Sequence, residues 1–375
     1  MFLNPRRCPY LPSDRDLIGR SHAANVSDLL SLCPAHRPTP LLALPALAAE
    51  FGLAGVHLKA EWQRMGLSSF KALGGAYAVA LIVMARSEAA LGRPILAADL
   101  LSPEVRAVAQ GMTLACASAG NHGLAVAAGA RAFGARAVVY LNHAAPETFA
   151  VRLRDKGAVV RRAGVNYEES MARAAADARE QGWDLVSDSS WPGYMQTPLA
   201  VMRGYTVLLE EAAQAMEGAD GPATHVFVQA GVGGLAAAAA SYLRDRWGED
   251  FQFIVVEPEG APCLLESVRR GRPVRVTGGE TRLGRLDCKE PSLIAFELLS
   301  RLADGFMLIS DARAEQAASR LAAQGAPVSA CGAAGAAGLF AASSDAAWRQ
   351  SLRLDARSRV LLIGAEAADP SPQRQ

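Results

Sequence analysis

The chain alternates between two patterns of apolar residues. Short apolar runs, such as HVFVQA at 225–230 and FIVVE at 253–257, predict buried strands. Each is followed by a longer stretch with helical spacing, at 234–247 and 263–270. The other predicted pairs of strand and helix are 113–116 with 123–133, 137–141 with 147–156, 159–161 with 167–181, and 185–187 with 198–216. Strands that alternate with helices predict an α/β fold in which parallel sheets are flanked by helices.

This alternation is tightest between residues 113 and 187, which predicts a small separate unit. We predict two domains. A small α/β domain covers 81–197, and a discontinuous large domain combines 1–80 with 198–368. A chain of 375 residues, 51% of them hydrophobic, is long and apolar enough to form both cores.

Charge and hydropathy argue against several classes of partner. The 38 basic and 37 acidic residues leave a net charge of +1, without the basic excess that nucleic-acid binding needs. No apolar run reaches the ~18 residues of a membrane helix. The N-terminus MFLNPRRCPY shows no secretory signal, so we predict a cytoplasmic protein without membrane contact. The six cysteines form no CxxC motif and no cluster with histidine, so we predict no metal site.

Candidate chemistry lies at the turns between strands and helices, where ligands bind to parallel sheets. The first such segment is SSFKALGGAYAV at 68–79, in which Lys71 opens an apolar helix. A partly desolvated lysine has a lowered pKa and can form an imine with an aldehyde. The alternative is a lysine that extends from the helix end into solvent.

The second segment is the turn ASAGNHGLAVA at 117–127, which follows a strand and opens a helix. Its small residues let a ligand approach the backbone, and its free N–H groups can bind a carboxylate. The candidate residues are Ser118, Ala119, Gly120, Asn121 and His122. An ordinary glycine-rich turn capped by its asparagine and histidine is the alternative.

The third segment, QAGVGGLAAA at 229–238, places three glycines within four residues at a helix N-terminus. It matches neither GxGxxG nor GxxxxGK[ST], so it favours a single monophosphate over a dinucleotide or a triphosphate. Close packing of the helix on the strand is the alternative. A fourth run, SACGAAGAAGL at 329–339, is typical of a tightly packed helix.

A lysine, a small-residue turn and a phosphate loop in this order resemble the fold-type II pyridoxal-phosphate enzymes, whose two-domain fold is that of the tryptophan synthase β subunit. The resemblance implies pyridoxal 5′-phosphate as cofactor, bound through Lys71 next to Phe70. It implies that Asn121 contacts the 3-hydroxyl group. The phosphate would be held by Gly231, Val232, Gly233, Gly234 and Leu235. Cys331 would lie beside the pyridine nitrogen, and a second register places Ala334 there instead.

Within that family, the chain is most similar to the diaminopropionate ammonia-lyases. The similarity includes RPTPLLALPALAAEFGL, VSDSSWPGYMQTPLAVMRGYTVLLEEA, THVFVQAGVGGLA, VVEPEGAPCLLESVRRG and TRLGRLDCKEPS. It implies that Asp188 is catalytic, and that Asp188 and Tyr194 join Ser118, Ala119, Gly120 and His122 around the substrate. Cys263 and Cys288 also fall where these enzymes carry cysteines, which leaves a disulfide between them open.

One position departs from the ammonia-lyase pattern. Those enzymes have an aspartate just before the GNHG turn, and Ala119 occupies that position here. In the family this aspartate is the base expected for the D-isomer of the substrate. Its loss predicts selectivity for the L-isomer, or a substrate other than diaminopropionate.

The resemblance implies an α,β-elimination that converts 2,3-diaminopropionate to pyruvate and ammonia in a homodimer. A serine or threonine dehydratase would use the same residues, and the ASAGNHG form of the turn favours it. A β-replacement synthase and a cofactor-binding protein without turnover are further alternatives.

Overall fold

Two sheets organise the chain, whose computed structural model describes residues 1–118 and 120–368. The small sheet has the order β6-β5-β4-β7, and its paired strands are parallel. The large sheet has the order β1-β10-β9-β8-β11-β3-β2, with antiparallel pairing only at β1 and β2 on its edges. The strands are β1 Phe2–Leu3, β2 Leu41–Ala43, β3 Gly55–Ala60, β4 Thr113–Ala117, β5 Arg136–Leu141, β6 Val159–Arg162, β7 Asp184–Leu185, β8 His225–Gln229, β9 Gln252–Pro258, β10 Gly305–Ile309 and β11 Arg359–Gly364. The predicted α/β class with parallel sheets is confirmed.

Helices cover the sheets and connect successive strands. They are α1 Pro12–Ile18, α2 Ser21–Leu30, α3 Pro45–Phe51, α4 Lys71–Leu91, α5 Pro103–Gln110, α6 Asn121–Phe133, α7 Glu147–Asp155, α8 Tyr167–Gln181, α9 Gln196–Gly204, α10 Thr206–Ala219, α11 Gly234–Trp247, α12 Cys263–Arg270, α13 Leu293–Leu302, α14 Asp311–Ala322, α15 Ala334–Ser344 and α16 Ala346–Leu352. Two short 3₁₀ turns, Glu61–Gly66 and Ala97–Asp99, complete the connections.

The predicted helix at 198–216 is instead two helices, α9 and α10, which meet at Tyr205. Helix α9 crosses α4 closely at this point. A Cβ atom on Gly204 would lie 2.6 Å from the Cα atom of Gly74, so only glycine permits this crossing. The chain changes direction immediately afterwards, which the apolar spacing of the sequence does not reveal.

Helix α4 is long and apolar enough to cross a membrane by length and composition alone. Within the fold it packs against α6 and α9, and most of its residues up to Val83 are buried. These contacts make it a core helix that joins the two halves of the molecule. The largest apolar cluster accordingly includes Val139 of β5 and Val226 of β8 as well as Val79 of α4.

The carboxyl ends of five strands determine where ligands can bind. The segments 61–71, 118–122, 186–190, 230–234 and 365–367 follow β3, β4, β7, β8 and β11, respectively. In parallel sheets such ends form the ligand-binding edge. The residues predicted to be catalytic or to bind cofactor or substrate belong to these segments, with the exception of Cys331, Tyr194 and Leu235.

Candidate active site

Lys71 and Asp188 form an ion pair between the two sheets. Lys71 is the first residue of α4, and Asp188 follows β7 by three residues. Their side chains are 23% and 13% exposed. The pair therefore brings together the two residues predicted to be catalytic.

The pKa of Lys71 is raised, so the prediction of a lowered value is wrong. Burial alone would lower the pKa of Lys71, but the nearby Asp188 carboxylate outweighs it. Burial would likewise raise the pKa of Asp188, and the Lys71 ammonium lowers it instead. At neutral pH the pair is thus an ammonium and a carboxylate.

Only four lysines occur in the sequence. Lys59 is buried against Glu211, and the Nζ atom of Lys289 donates to Asp287 and to backbone oxygens. Lys156 lies at the C-terminal end of α7. Lys71 is therefore the lysine whose amine contacts the predicted catalytic carboxylate of Asp188.

The small-residue turn holds its histidine in one orientation. The His122 Nε2 atom lies 2.8 Å from the Val186 carbonyl oxygen, whereas its buried Nδ1 atom has no hydrogen-bond partner among the described residues. Burial lowers the pKa of His122 and favours the neutral ring. The Gly120 N–H donates to the Ser118 hydroxyl at 3.2 Å, and Ala119 lies outside the described residues.

Asn121 contacts a carboxylate that sequence reasoning missed. Its Nδ2 atom donates to Glu366, a buried residue just beyond β11. The Glu366 carboxylate also accepts from Ser329 at 2.6 Å and from Arg285 at 2.7 Å. Four separate segments of the chain thus meet at one buried carboxylate.

Backbone pairing fixes Glu366 beside the lysine segment. The Phe70 N–H donates to the Ala365 oxygen at 3.1 Å, and the Ala367 N–H donates to the Ser68 oxygen at 3.0 Å. Ser69 and Glu366 therefore face each other in an isolated β-bridge. A charged residue directly after the buried run VLLIGA was the available sequence signal, because strand carboxyl ends carry ligand-binding residues.

The glycine-rich loop leads into α11 and leaves no room for a side chain at Gly231 or Gly233. A Cβ atom on Gly231 would lie 2.9 Å from the Cys288 sulfur, and one on Gly233 would lie 2.9 Å from Ala295. Gly233 has φ +97°, a conformation that favours glycine. The Ser292 N–H donates to the Val232 oxygen at 3.0 Å and braces the loop from outside.

Cys263 and Cys288 both border Gly231. The Cys263 sulfur lies 3.6 Å from the Gly231 oxygen, where it can donate a weak hydrogen bond. Both cysteines are free thiols in this structure. Burial raises the pKa of Cys288 to about 12, so its thiol stays neutral.

Phe70 lies beside the Lys71 amine, and Cys331 lies close enough to Glu366 to be affected by its charge. The Lys71 Nζ atom lies 5.2 Å from the centre of the Phe70 ring, which packs edge-on against Tyr205. Burial, together with the Glu366 carboxylate, raises the pKa of Cys331 to about 12. Ala334, the alternative to Cys331, is the first residue of α15 and is fully buried.

The hydroxyl group of Tyr194 makes hydrogen bonds to the backbone. It donates to the Leu185 oxygen at 2.6 Å and accepts from the Ser187 N–H at 3.1 Å. Its ring stacks on Trp191 at 4.4 Å across a tight turn. In this structure Tyr194 supports the segment that carries Asp188.

Two further tyrosines were missed by sequence reasoning. The Lys71 Nζ atom lies 5.9 Å from the centre of the Tyr205 ring, and burial raises the pKa of that tyrosine to about 12. Burial raises the pKa of Tyr167 as well, and the Asp188 charge adds to the effect. Neither belongs to a local motif, since Tyr205 lies at the junction of α9 and α10 and Tyr167 begins α8, both far along the chain from the glycine-rich turns.

These residues fit the cofactor that the sequence implies. The glycine-rich loop leads into the N-terminus of α11, where the first N–H groups of a helix have no partner within the helix and favour a phosphate. Lys71 lies at the same edge, and its amine can form an imine with an aldehyde once the proton is released. The buried Nδ1 atom of His122 adds an unsatisfied polar group there.

Gly233→Ala is expected to weaken both folding and cofactor binding. An alanine at φ +97° is strained, and its Cβ atom would collide with Ala295 and Leu264. We expect a loss of about 1–3 kcal/mol in the free energy of unfolding. Urea denaturation and titration with pyridoxal phosphate measure the two effects.

Gly234→Ala is the matched control for this loop. A Cβ atom there would meet Met202 at 3.5 Å, an ordinary contact, and Gly234 is the first residue of α11. We expect its stability to be unchanged or slightly higher, because alanine favours helix. Equal losses in both variants would contradict the assigned strain at Gly233.

Comparison with known proteins agrees with this geometry. The family model for pyridoxal-phosphate dependent enzymes matches residues 32–364. Diaminopropionate ammonia-lyase from Salmonella typhimurium is 32% identical over 361 residues, which cover 90% of this chain and 87% of that protein.

Two crystal structures of diaminopropionate ammonia-lyase from Escherichia coli share the fold. One is in complex with D-serine and is 29% identical, with a TM-score of 0.86 and coverage of 97% of this chain and 93% of that one. The other contains an aminoacrylate–PLP azomethine reaction intermediate and is 30% identical, with a TM-score of 0.86 and coverage of 97% and 92%. By sequence and by structure, the chain belongs to the pyridoxal-phosphate dependent enzymes and, within them, to the diaminopropionate ammonia-lyase family.

Proposed function

We propose that this chain eliminates the β-amino group of L-2,3-diaminopropionate and thereby yields pyruvate and ammonia. The observation that carries the proposal is the Lys71–Asp188 pair at the edge where the phosphate loop begins. An amine and a carboxylate in contact can serve a substrate that loses an α-proton and bears a second ammonium group. A diaminopropionate ammonia-lyase that matches this chain over most of its own length supports this choice.

Bound pyridoxal phosphate supplies an electron sink for the carbanion formed at the α-carbon. Lys71, as a free amine, removes the α-proton. In the protein without substrate the Lys71 ammonium lowers the pKa of Asp188, and in the reaction the β-ammonium group replaces that ammonium as the partner of the carboxylate. The β C–N bond breaks as the α C–H electrons form the new double bond, and ammonia leaves. Water then converts the released enamine to pyruvate and a second ammonia.

A substrate panel tests this proposal. Purified protein with pyridoxal phosphate is given L- and D-2,3-diaminopropionate, L-serine and L-threonine separately, and release of 2-oxo acid is measured. We expect pyruvate from the L-diamine at a rate well above that from the other three. Activity confined to the two hydroxy amino acids would overturn the proposal in favour of a dehydratase, the alternative that the ASAGNHG turn favours.

Ala119→Asp is expected to add activity on the D-isomer. It restores the carboxylate that the ammonia-lyases carry at this sequence position, where the family resemblance implies a base for the D-isomer. We expect D-diaminopropionate turnover to rise by about 10²-fold, the lower range for a general base. Ala119→Asn, which has the same shape without the charge, is the control. Efficient use of the D-isomer by the unmodified chain would contradict the role of Ala119.

We further propose that the enzyme is a cytoplasmic homodimer. The family suggests the dimer, and six cysteines that are all free thiols suit a reducing compartment. Sedimentation of the purified holoenzyme measures the first, and a single-chain mass would contradict it. Cell fractionation measures the second.

A further inference from the structure

Tyr205 has a buried hydroxyl group without a hydrogen-bond partner among the described residues. The residue lies at the junction of α9 and α10 and is 1% exposed. A buried tyrosine hydroxyl is usually hydrogen-bonded, because it has lost its contact with water and leaving it unpaired lowers stability. Phenylalanine would fill the same space without that cost. The hydroxyl group therefore indicates a role outside the packing of the core.

The ring of Tyr205 is held against the first turn of α4. A Cβ atom on Gly74 would lie 2.5 Å from the Cε1 atom of the tyrosine, which is bonded to the carbon that bears the hydroxyl group. The ring also packs edge-on against Phe70, with 4.8 Å between the two ring centres. Phe70 and Gly74 flank Lys71 in the sequence, so the hydroxyl end of the ring lies at the turn that begins with this lysine.

The amine of Lys71 has hydrogen-bond donors to spare beside this ring. Its Nζ atom lies 5.9 Å from the centre of the Tyr205 ring. An ammonium group has three N–H donors, and Asp188 is the hydrogen-bond partner of Lys71 within the described part of the chain. An unpaired acceptor and an ammonium group with unused donors thus lie next to each other.

Tyr205 and Lys71 are close enough to influence each other's protonation. Burial raises the pKa of Tyr205 to about 12, and the Lys71 ammonium opposes this effect. Burial lowers the pKa of Lys71, and Tyr205 opposes that effect, although less than Asp188 does. At neutral pH the phenol is therefore uncharged, and its oxygen can accept a hydrogen bond without taking the proton of the amine.

We propose that Tyr205 is a positioning residue, whose hydroxyl group accepts a hydrogen bond from the Lys71 amine and holds that amine in place for removal of the α-proton. The proposal rests on the proposed function only for the role of Lys71 as a base. When the β-ammonium group of the substrate pairs with Asp188, Lys71 loses that partner, and Tyr205 becomes its acceptor.

This hydrogen bond serves both states of the amine. In the neutral amine one N–H group is directed at Tyr205, which leaves the lone pair of Nζ free for the α-proton. The α C–H bond then breaks, its electron pair stays with the substrate, and the proton forms a bond to Nζ. The resulting ammonium keeps the hydroxyl group as an acceptor, which stabilises the charge that Lys71 has gained.

The test compares Tyr205→Phe with the unmodified protein. This substitution removes one oxygen atom and keeps the ring that packs against Phe70 and Gly74. Tyr77→Phe is the matched control, because Tyr77 lies further along α4 and is also buried, with 7% of its surface exposed.

Two measurements report on Lys71 without elimination. The first is the pH at which Lys71 reacts with an amine-specific label in the protein without cofactor, followed by peptide mass spectrometry. The second is the exchange of the α-proton of L-alanine with deuterated solvent in the holoenzyme. Because L-alanine has no leaving group, this exchange reports the action of the base alone. The affinity for L-alanine and the resistance to urea are measured in parallel.

We expect labelling of Lys71 in Tyr205→Phe to begin at a lower pH, because the ammonium has lost an acceptor and its pKa falls. The rate of α-proton exchange should fall by about 10- to 100-fold, the contribution of a hydrogen bond to a charged group. Affinity for L-alanine should change little, and resistance to urea should be equal or higher. Tyr77→Phe should leave both labelling and exchange unchanged.

An unchanged labelling profile in Tyr205→Phe would overturn the proposal, because any loss of exchange would then reflect packing alone. Unchanged exchange would overturn it as well, as would equal changes in Tyr77→Phe or the absence of exchange in the unmodified holoenzyme. Exchange and labelling that both depend on Tyr205, without turnover of diaminopropionate, would uphold the proposal and reject the proposed reaction instead.

Discussion

Replacing Lys71 with alanine is expected to abolish turnover and the covalent attachment of pyridoxal phosphate. The proposed reaction needs this amine twice, once to bind the cofactor's aldehyde and once to remove the α-proton. We expect a loss of about 10⁴-fold or more, since a general base alone contributes up to about that factor. Pyruvate release measures turnover, and borohydride reduction followed by peptide mass spectrometry identifies the lysine that is attached.

Lys71→Arg separates chemistry from stability. Arginine keeps a cation beside Asp188 but does not form the imine, because its guanidinium stays protonated. We expect turnover as low as in the alanine variant with stability close to the original. Lys71→Ala should also lose about 1–3 kcal/mol, because it leaves a mostly buried carboxylate unpaired. Cofactor trapped on Lys59, Lys156 or Lys289 would contradict the assignment.

The sequence predicted the helix boundaries that depend on residues close to the helix ends. Helix α8 spans the predicted 167–181, with Asn166 accepting from the Glu169 N–H at 2.9 Å at one end and left-handed Gly182 at the other. Helix α11 likewise begins at the predicted Gly234, where the glycine-rich loop ends. Both boundaries depend on residues within a few positions of the helix end, so the sequence contains them.

Features of the site that arise from distant segments escaped prediction. The pKa of Lys71 depends on Asp188, which is 117 residues away in the chain. Glu366 reaches the site through its pairing with Ser69, and Arg285 through a segment without regular structure. The position of Glu366 directly after a buried strand was a signal for the ligand-binding edge, but a single sequence does not show which distant residues it pairs with there.

The same long-range contacts determine the protonation state of Lys71. With Asp188 as its partner, Lys71 keeps its proton, although burial alone would release it. A β-ammonium group that pairs with Asp188 would remove that partner. The pKa of a freed Lys71 would then fall toward the value that burial dictates, and the amine would become a base. A hydroxyl leaving group would not cause this exchange.

Asp188→Asn is therefore expected to lower the turnover of the diamine and to make Lys71 more reactive toward an amine-specific label. We expect kcat/KM for L-2,3-diaminopropionate to fall by about 10²- to 10³-fold, because the β-ammonium group loses its partner. Turnover of L-serine, if present, should fall much less. In the protein before cofactor is added, the pKa of Lys71 should fall, because the largest charge that opposes the effect of burial is then removed. Amine-specific labelling of Lys71 should accordingly begin at a lower pH.

Asp184→Asn is the matched control, since Asp184 lies at the start of β7 and pairs with the exposed Arg86. It should leave both the labelling of Lys71 and the substrate preference unchanged. Equal losses of activity on diamine and hydroxy substrates in Asp188→Asn would contradict the pairing with the β-ammonium group, and would point to a role in the shared α-proton step. An unchanged labelling profile would show that Asp188 does not control the proton on Lys71. The two readouts thus test separately how Asp188 selects the leaving group and how it governs the base.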